Sequence, residues 1–341
     1  MTATDSPPAV VARATEPHRW RVAQLWAVVL VFLGVAVARS AQVGIPMRDP
    51  HGAFLVRPVA ITVAVLAALV LLDGARRAGR PVRARAVLTA VRARWTRGRL
   101  LLAAGALLAY HVTYVSYHNL KSFNDLRAPQ DQLLLRWDRW LFLGHSPAVL
   151  LHDVLGRHAA AWVLMAWYET FGTLVIVAFP ATVVLARRMS DAYAGIAALV
   201  WVWILGTATY YAIPSVGPFR AAPREFAGLP HTMIQDTQHR YLAQRDHLLA
   251  HPHASDAFAQ LGAFASLHVG VTAVILGIAW WNRLRRTTIA LAVFLAGTMV
   301  ATVYLGWHFA VDDAAGLLIA ALAWVLGPLT VGVRRRPVSN P

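Results

Sequence analysis

Eight apolar segments dominate the chain, at approximately 22–38, 55–72, 100–117, 160–185, 192–212, 264–281, 288–306 and 310–332. Their lengths suit the about 20 residues of helix that crossing a hydrocarbon core requires. Because that core offers no water to unpaired backbone amides, such segments must be helices and must pack as a bundle. The predicted fold class is therefore all-α, a polytopic membrane helical bundle of about eight spans. Composition excludes an ordinary soluble domain, since 58% of residues are hydrophobic and 14% charged, where a soluble domain carries about 25% charged. The absence of cysteine removes disulfides, thiolate catalysis and cysteine-ligated metals. A formal charge of +16 does not point to nucleic acid, because the basic residues fall in short stretches between apolar runs, where they set membrane orientation.

That orientation follows from one stretch. Nine arginines lie between Arg76 and Arg99, and the positive-inside rule makes this stretch cytoplasmic. Counting spans outward places Arg13, Arg19 and Arg21 on the same side, with Arg187 and Arg188, with Arg283, Arg285 and Arg286, and with Arg334 to Arg336. The expectation is a multi-pass protein of the cell membrane with both termini cytoplasmic. The first apolar run ends Ala36-Val37-Ala38, which resembles a signal cleavage site, but its length favours a retained helix. Residues 1–18, rich in Ala, Pro and Thr, read as a disordered cytoplasmic tail.

Two long segments, 118–159 and 213–263, then face outward. The first mixes Leu133-Leu134-Leu135, Trp137, Trp140 and Phe142 with charges, as interfacial helices forming a lid or rim do. The second opens Pro214-Ser215-Val216-Gly217-Pro218, which cannot continue a helix, and later runs from Gln235 to His253, polar enough for a surface helix and loop. The histidines His231, His239, His247, His251 and His253 have no metal-ligand spacing and read as a solvated surface.

At the outer mouths of the apolar spans the chain places Ser266-Leu267-His268 and Trp307-His308-Phe309-Ala310-Val311-Asp312-Asp313. His308 and Asp312 are four residues apart and share a helix face, and ionisable residues within membrane spans face a bundle interior or a water-filled cavity. An imidazole held at one nitrogen by a carboxylate presents the other as a nucleophile of fixed tautomer. His308 suits attack on phosphorus, and His268 suits protonation of the leaving oxygen followed by activation of water or an alcohol. Phosphoryl oxygens require cationic donors. Lys121 and Arg127 are candidates on the same outer side, and Lys121 is the single lysine among 32 Lys and Arg residues. Trp307 and Tyr304 read as interfacial aromatics, and Asp313 and Asp125 as local pairing or capping groups.

These residues resemble the type-2 phosphatidic acid phosphatase superfamily, across spans three to eight. The family's first motif is Lys, six residues, Arg-Pro; here Lys121 is followed by five residues and then Arg127-Ala128-Pro129. Its second motif, Pro-Ser-Gly-His, corresponds to Ala265-Ser266-Leu267-His268, a spelling similar to the inositol phosphorylceramide synthase branch. Its third motif, Ser-Arg, five residues, His, three residues, Asp, corresponds to Ala301-Thr302 with His308 and Asp312. Ser-Arg is replaced, and Arg220 or Arg224 is the candidate for the missing charge.

The resemblance implies a six-helix catalytic core over 100–333 with its site at the outer face. Two extra helices and the Arg-rich cytoplasmic loop precede it over 19–99, and a cytoplasmic tail follows over 334–341. It further implies nucleophilic His308 oriented by Asp312, His268 as acid and base, phosphate binding by Lys121, Arg127 and Ser266, and neither metal nor cofactor. The expected partners are a lipid phosphate substrate and membrane lipids. The expected activity is cleavage of a lipid phosphate ester or diphosphate through a phosphohistidine. An inositol-phosphate head-group transferase is the close alternative, and a proton-coupled transporter is the alternative from another class.

Overall fold

The computed structural model describes residues 19–333, and only the backbone of Arg19 and Trp20. The tails at 1–18 and 334–341, Arg13, the Arg19 side chain and Arg334 to Arg336 lie outside the described residues. The chain begins with helix α1 (Arg19–Val43), a loop, α2 (Val56–Ala78), α3 (Ala84–Arg94) and α4 (Arg97–Asn124). Two shorter helices follow, α5 (Asp131–Leu141) and α6 (Pro147–Leu155), then the long pair α7 (Ala159–Leu185) and α8 (Met189–Ala212). Next come the short α9 (Pro218–Ala221) and α10 (Pro223–Phe226), then α11 (Met233–Ala250), α12 (Leu267–Trp281), α13 (Arg285–Tyr304) and α14 (Ala310–Thr330). Seven of these helices are long and apolar enough to cross a membrane, and α12 is a shorter apolar helix of 15 residues. The described residues form an all-helical multi-pass bundle, as the apolar pattern requires.

The differences from the sequence reading are local. The arginine-rich stretch is not all loop, because α3 folds within it and packs on α2. The third span does not stop near residue 117. His118, Asn119, Ser122 and Asn124 break the apolar run, yet all are buried against neighbouring loops, so α4 continues to Asn124 and carries Lys121 on its last turn. The surface helix expected in the polar stretch 235–253 is α11, which starts at a capping box between Thr232 and Gln235 and ends at Ala250.

Helix α8 forms the centre, with 72% of its apolar window buried against 6% for α2. It packs on α4, α12 and α14, while α1 lies on α4, α2 on α7, and α13 on α7 and α12. Helices α8 and α14 come close at Gly327 of α14, where an added Cβ would sit 2.5 Å from the Ala198 backbone nitrogen of α8. Small residues let membrane helices approach until backbones touch, which stands in for the missing hydrophobic drive between them.

The two ends of the bundle differ in chemistry. At one end Arg94 Nη2 donates to the carbonyls of Val184 (2.8 Å) and Ala186 (3.0 Å), and Arg99 Nη2 donates to Ala186 (3.0 Å), supplying cations to the open carbonyls where α7 ends. Arg188 pairs with Asp191 at 3.1 Å on the first turn of α8, and Trp281 at the end of α12 donates to the same carboxylate at 3.3 Å. At the other end lie α5, α6 and α9 to α11, together with the last turn of α4 and the first turns of α12 and α14. Gly327→Ala tests the central packing. It should destabilise by about 1–3 kcal/mol through overpacking and lower the melting temperature in detergent, whereas Leu329→Ala, at a 65% exposed position, should not. Equal melting of the two variants would contradict the packing.

Candidate active site

The site grows from the turn that joins α13 to α14. Its backbone is held by the Thr302 carbonyl, which accepts from the amides of Trp307 (3.0 Å) and His308 (3.2 Å). The first amides of α14 have no helical partners of their own, and two carboxylates take them. Asp312 Oδ2 accepts from Phe309 N at 2.9 Å. Asp138 of α5 accepts from Ala310 N and Val311 N, both at 2.9 Å. Burial pushes the Asp138 carboxyl up from its ordinary value, and these two amides oppose the shift. Asp131, two helical turns earlier on α5, accepts from Val216 N (2.8 Å) and Gly217 N (3.2 Å). Helix α5 is therefore a brace between two loops, with its two aspartates at i and i+7 on one face.

The loops touch directly. Gly217 adopts φ +128, and a Cβ there would lie 2.9 Å from the Trp307 carbonyl oxygen, so only glycine suits the position. Phe219 N donates to the Gly306 carbonyl at 3.0 Å. Ser215 in turn binds the segment before α12, accepting from Ala263 N at its carbonyl (3.2 Å) and from Phe264 N at its hydroxyl (2.8 Å). The Ala263 carbonyl that results from this arrangement faces His308.

His308 is 4% exposed. Its Nδ1 lies 2.9 Å from the Ala263 carbonyl oxygen and 3.4 Å from Asp312 Oδ2. With two acceptors before it, Nδ1 carries the proton and Nε2 holds the lone pair. Nε2 is 3.3 Å from Nδ1 of His268, on the first turn of α12. Burial holds the His308 imidazole down at about 4. Its nearer partner is a backbone carbonyl rather than the carboxylate, a contact that no side-chain motif spells. Asp312 is fully buried, and its Oδ1 has no hydrogen-bond partner.

Neighbouring motif residues sit behind this pair. Ser266 is fully buried, caps α12 by accepting from Val269 N (3.4 Å), and ties α12 to α14 through its own amide on the Asp312 carbonyl (2.9 Å). Thr302, at the position of the family's arginine, donates to Asp313 Oδ2 at 3.0 Å. Asp313 is thus a local pairing group. Asp125 likewise pairs locally, lying 3.6 Å from Arg245 and accepting from Leu261 N at 3.1 Å, with burial pushing its carboxyl up to about 7.

Both histidines border a cavity of about 590 Å³, with Lys121 and Arg240 as its basic wall residues. Lys121 Nζ stands 5.8 Å from the Tyr117 ring and 5.7 Å from the Tyr210 ring, a cation–π setting. The walls are aromatic. Tyr168 and Phe171 of α7 lie 4.6 Å and 4.4 Å from the His268 ring, and Tyr168 stacks on Trp307 at 5.8 Å. Trp307 and Tyr304 are not interfacial aromatics: at 8% and 0% exposure they are enclosed by α7 and the outer loops, and the Tyr304 hydroxyl donates to the Gly156 carbonyl at 2.6 Å.

The other predicted cations do not line the cavity. Arg127 is exposed, with its guanidinium on the Tyr211 carbonyl and 5.9 Å from the Tyr211 ring, and Arg220 and Arg224 are exposed on α9 and α10. Arg240, inside a stretch that reads as a surface helix and loop, reaches the wall from one face of α11: Asp236, Thr237, Arg240 and Tyr241 recur at helical spacing and all four line the cavity.

Replacing the brace at its α14 end tests this construction. Asp138→Ala leaves two buried amides without acceptors and should destabilise by about 1–3 kcal/mol, while Asp138→Asn, which keeps one acceptor oxygen, should lose less. Thermal melts of the two variants in detergent check this, and two unchanged melts would contradict it.

A family profile described as the PAP2 superfamily matches residues 132–326. No curated protein and no solved structure matches the chain. The matched stretch runs from the first turn of α5 into α14 and contains His268, His308 and Asp312, with Lys121 just before it. It covers more than half of the 341 residues. The chain belongs to the PAP2 superfamily, the type-2 phosphatidic acid phosphatases, whose activity is of the phosphatase or phosphotransferase type on lipid phosphates.

Proposed function

We propose that the protein cleaves a lipid phosphate ester or diphosphate at the extracytoplasmic face of the membrane through a phosphohistidine on His308. The observation that carries this reading is the 3.3 Å contact between His308 Nε2 and His268 Nδ1 beside a lysine-bearing cavity. The His308 Nε2 lone pair attacks phosphorus and forms the N–P bond. The bond to the lipid oxygen breaks, and His268 gives that oxygen its proton. Water then attacks the phosphohistidine, His268 takes the water's proton, and the N–P bond breaks to release phosphate. Asp312 and the Ala263 carbonyl stabilise the positive imidazole of the intermediate. Lys121, with Arg240 at the rim, balances the phosphoryl oxygens.

The outward direction is supported by the arginine-rich opposite end, which the positive-inside rule assigns to the cytoplasm together with both termini. Hydrolysis is the preferred outcome. Transfer of a head group such as inositol phosphate to an alcohol is favoured in turn by the Ser266-Leu267-His268 spelling and by the Phe, Tyr and Trp side chains in the cavity walls.

Purified protein should release phosphate from phosphatidate or a polyprenyl diphosphate, or else transfer inositol phosphate from phosphatidylinositol to water or to a lipid alcohol. His268→Ala should cut turnover by about 10²–10⁴, and His308→Ala at least as much. Full turnover without His308 would remove the proposal. Lys121→Ala should lower kcat/KM at least about tenfold, and Arg127→Ala should leave it within about twofold. Equal effects of these two would contradict the assignment of the phosphate to the cavity.

The pH profile carries its own sign. His308 attacks only when neutral, and burial favours the neutral form by holding its imidazole down at about 4. Its acid limb in kcat/KM should fall as pH drops through about 4. An acid limb that His308 sets near the ordinary histidine value of about 6.5 would contradict the burial.

A further inference from the structure

A third histidine borders the same cavity and has no part in the reaction above. His118 sits one turn before Lys121 on α4 and is 8% exposed. Its Nδ1 lies 2.5 Å from Gln260 Oε1, and Gln260 Nε2 donates to the Ala259 carbonyl at 2.9 Å. That second bond fixes which end of the amide faces the imidazole. An oxygen there makes Nδ1 the donor, so Nε2 carries the lone pair, and Nε2 is buried without a hydrogen-bond partner. A buried acceptor left unpaired is costly, and the residue that carries it lines the cavity.

The ring is held on its other sides. Phe54 stacks on it at 4.0 Å with a 23° tilt, backed by Phe258 at 5.3 Å, and Tyr114 meets it edge-on at 4.4 Å. Phe54 comes from the loop joining the two N-terminal helices. Asn119, next to His118, fastens that loop by accepting from Arg48 N (2.7 Å) and donating to the Arg48 carbonyl (2.9 Å). The 257–261 segment carrying Gln260 is pinned to α4 through Ala259 N on Ser122 Oγ (3.1 Å) and Leu261 N on Asp125 Oδ2 (3.1 Å). The first two helices thus contribute to the wall, and the imidazole is oriented from three segments.

Resting on the reading of this cavity as the substrate site, we infer that His118 Nε2 accepts a hydrogen bond from a hydroxyl group of the substrate. Fully ionised phosphate and carboxylate oxygens have no proton to offer it, and the nearby Lys121 ammonium disfavours a second cation. A neutral O–H donor fits both constraints. The hydroxyl comes either from the head group of the phosphorylated lipid or from an alcohol that takes up the phosphoryl group, and His118 is a specificity-determining residue in both cases.

Two probes separate the sources. Phosphatidylglycerol and phosphatidylpropanol differ only in the two head-group hydroxyls, and a diacylglycerol supplies an acceptor alcohol. His118→Phe should lower either the phosphatidylglycerol-to-phosphatidylpropanol ratio of kcat/KM or the alcohol-to-water ratio of products by about tenfold or more. The first result assigns the hydroxyl to the head group and the second to the acceptor. His118→Gln, whose amide oxygen reaches the place of Nε2, should recover most of the affected ratio. Both ratios staying within about twofold of wild type while turnover persists would overturn the inference and leave the phosphotransfer reading standing. Binding of the two phospholipids and the diacylglycerol in mixed micelles, followed by tryptophan fluorescence, supplies the complementary outcome. If the protein turns nothing over yet binds phosphatidylglycerol over phosphatidylpropanol, or the diacylglycerol, in a manner that His118→Phe abolishes, the subsite stands and the reaction reading falls. No such binding and no turnover would overturn both.

Discussion

The amino end of α14 is the constraint on which the site depends. A helix buried at its start must find acceptors for its first amides, and here Asp312 from within the helix and Asp138 from α5 provide them. Meeting that need fixes the preceding turn, and with it the position of His308. Asp312 lies within reach of both Phe309 N and His308 Nδ1, so one carboxylate serves the fold and the imidazole together. The second acceptor for Nδ1, the Ala263 carbonyl, is delivered by the loop that Ser215 and Asp131 hold in place. The candidate nucleophile is thus set by a chain of backbone hydrogen bonds more than by any contact between motif side chains.

The rest of the cavity follows from where helices end. Helix α4 continues past its apolar run, which carries Lys121 and His118 to the level of the two other histidines, and α7 adds Tyr168 and Phe171 against His268. Aromatic walls keep the dielectric low around the cations, where charge on a phosphoryl group is stabilised more strongly than in water. The opposite end of the bundle is built on the same electrostatic rule with different parts, arginines on the carbonyls that close α7.

Much of this was legible in the sequence, for a physical reason. Ionisable residues are expensive in an apolar span, so His268, His308 and Asp312 stood out, and their depth at the mouths of separate spans foretold a common pocket. Lys121 stood out by being a lysine. Asp131, Asp138 and Arg240 did not, because they belong to amphipathic stretches where charges are unremarkable and only tertiary contact distinguishes a brace from a solvated face. The Ala263 carbonyl could not be read at all, since every residue has one. Arg127 matched a motif by spelling, but the shortened spacing after Lys121 lets it turn to the Tyr211 carbonyl. Trp307 and Tyr304 were misread because burial by α7 and α11 is a property of the assembled bundle.

The proposed reaction turns on covalent chemistry at one nitrogen. Phosphorus NMR and peptide mapping of His268→Ala, quenched in alkali after incubation with labelled phosphatidate or a polyprenyl diphosphate, test it directly, since loss of the water-activating group should allow the intermediate to accumulate. The expected product is an acid-labile phosphoramidate confined to position 308. Label on another residue, or continued phosphate release by His308→Ala, would contradict it.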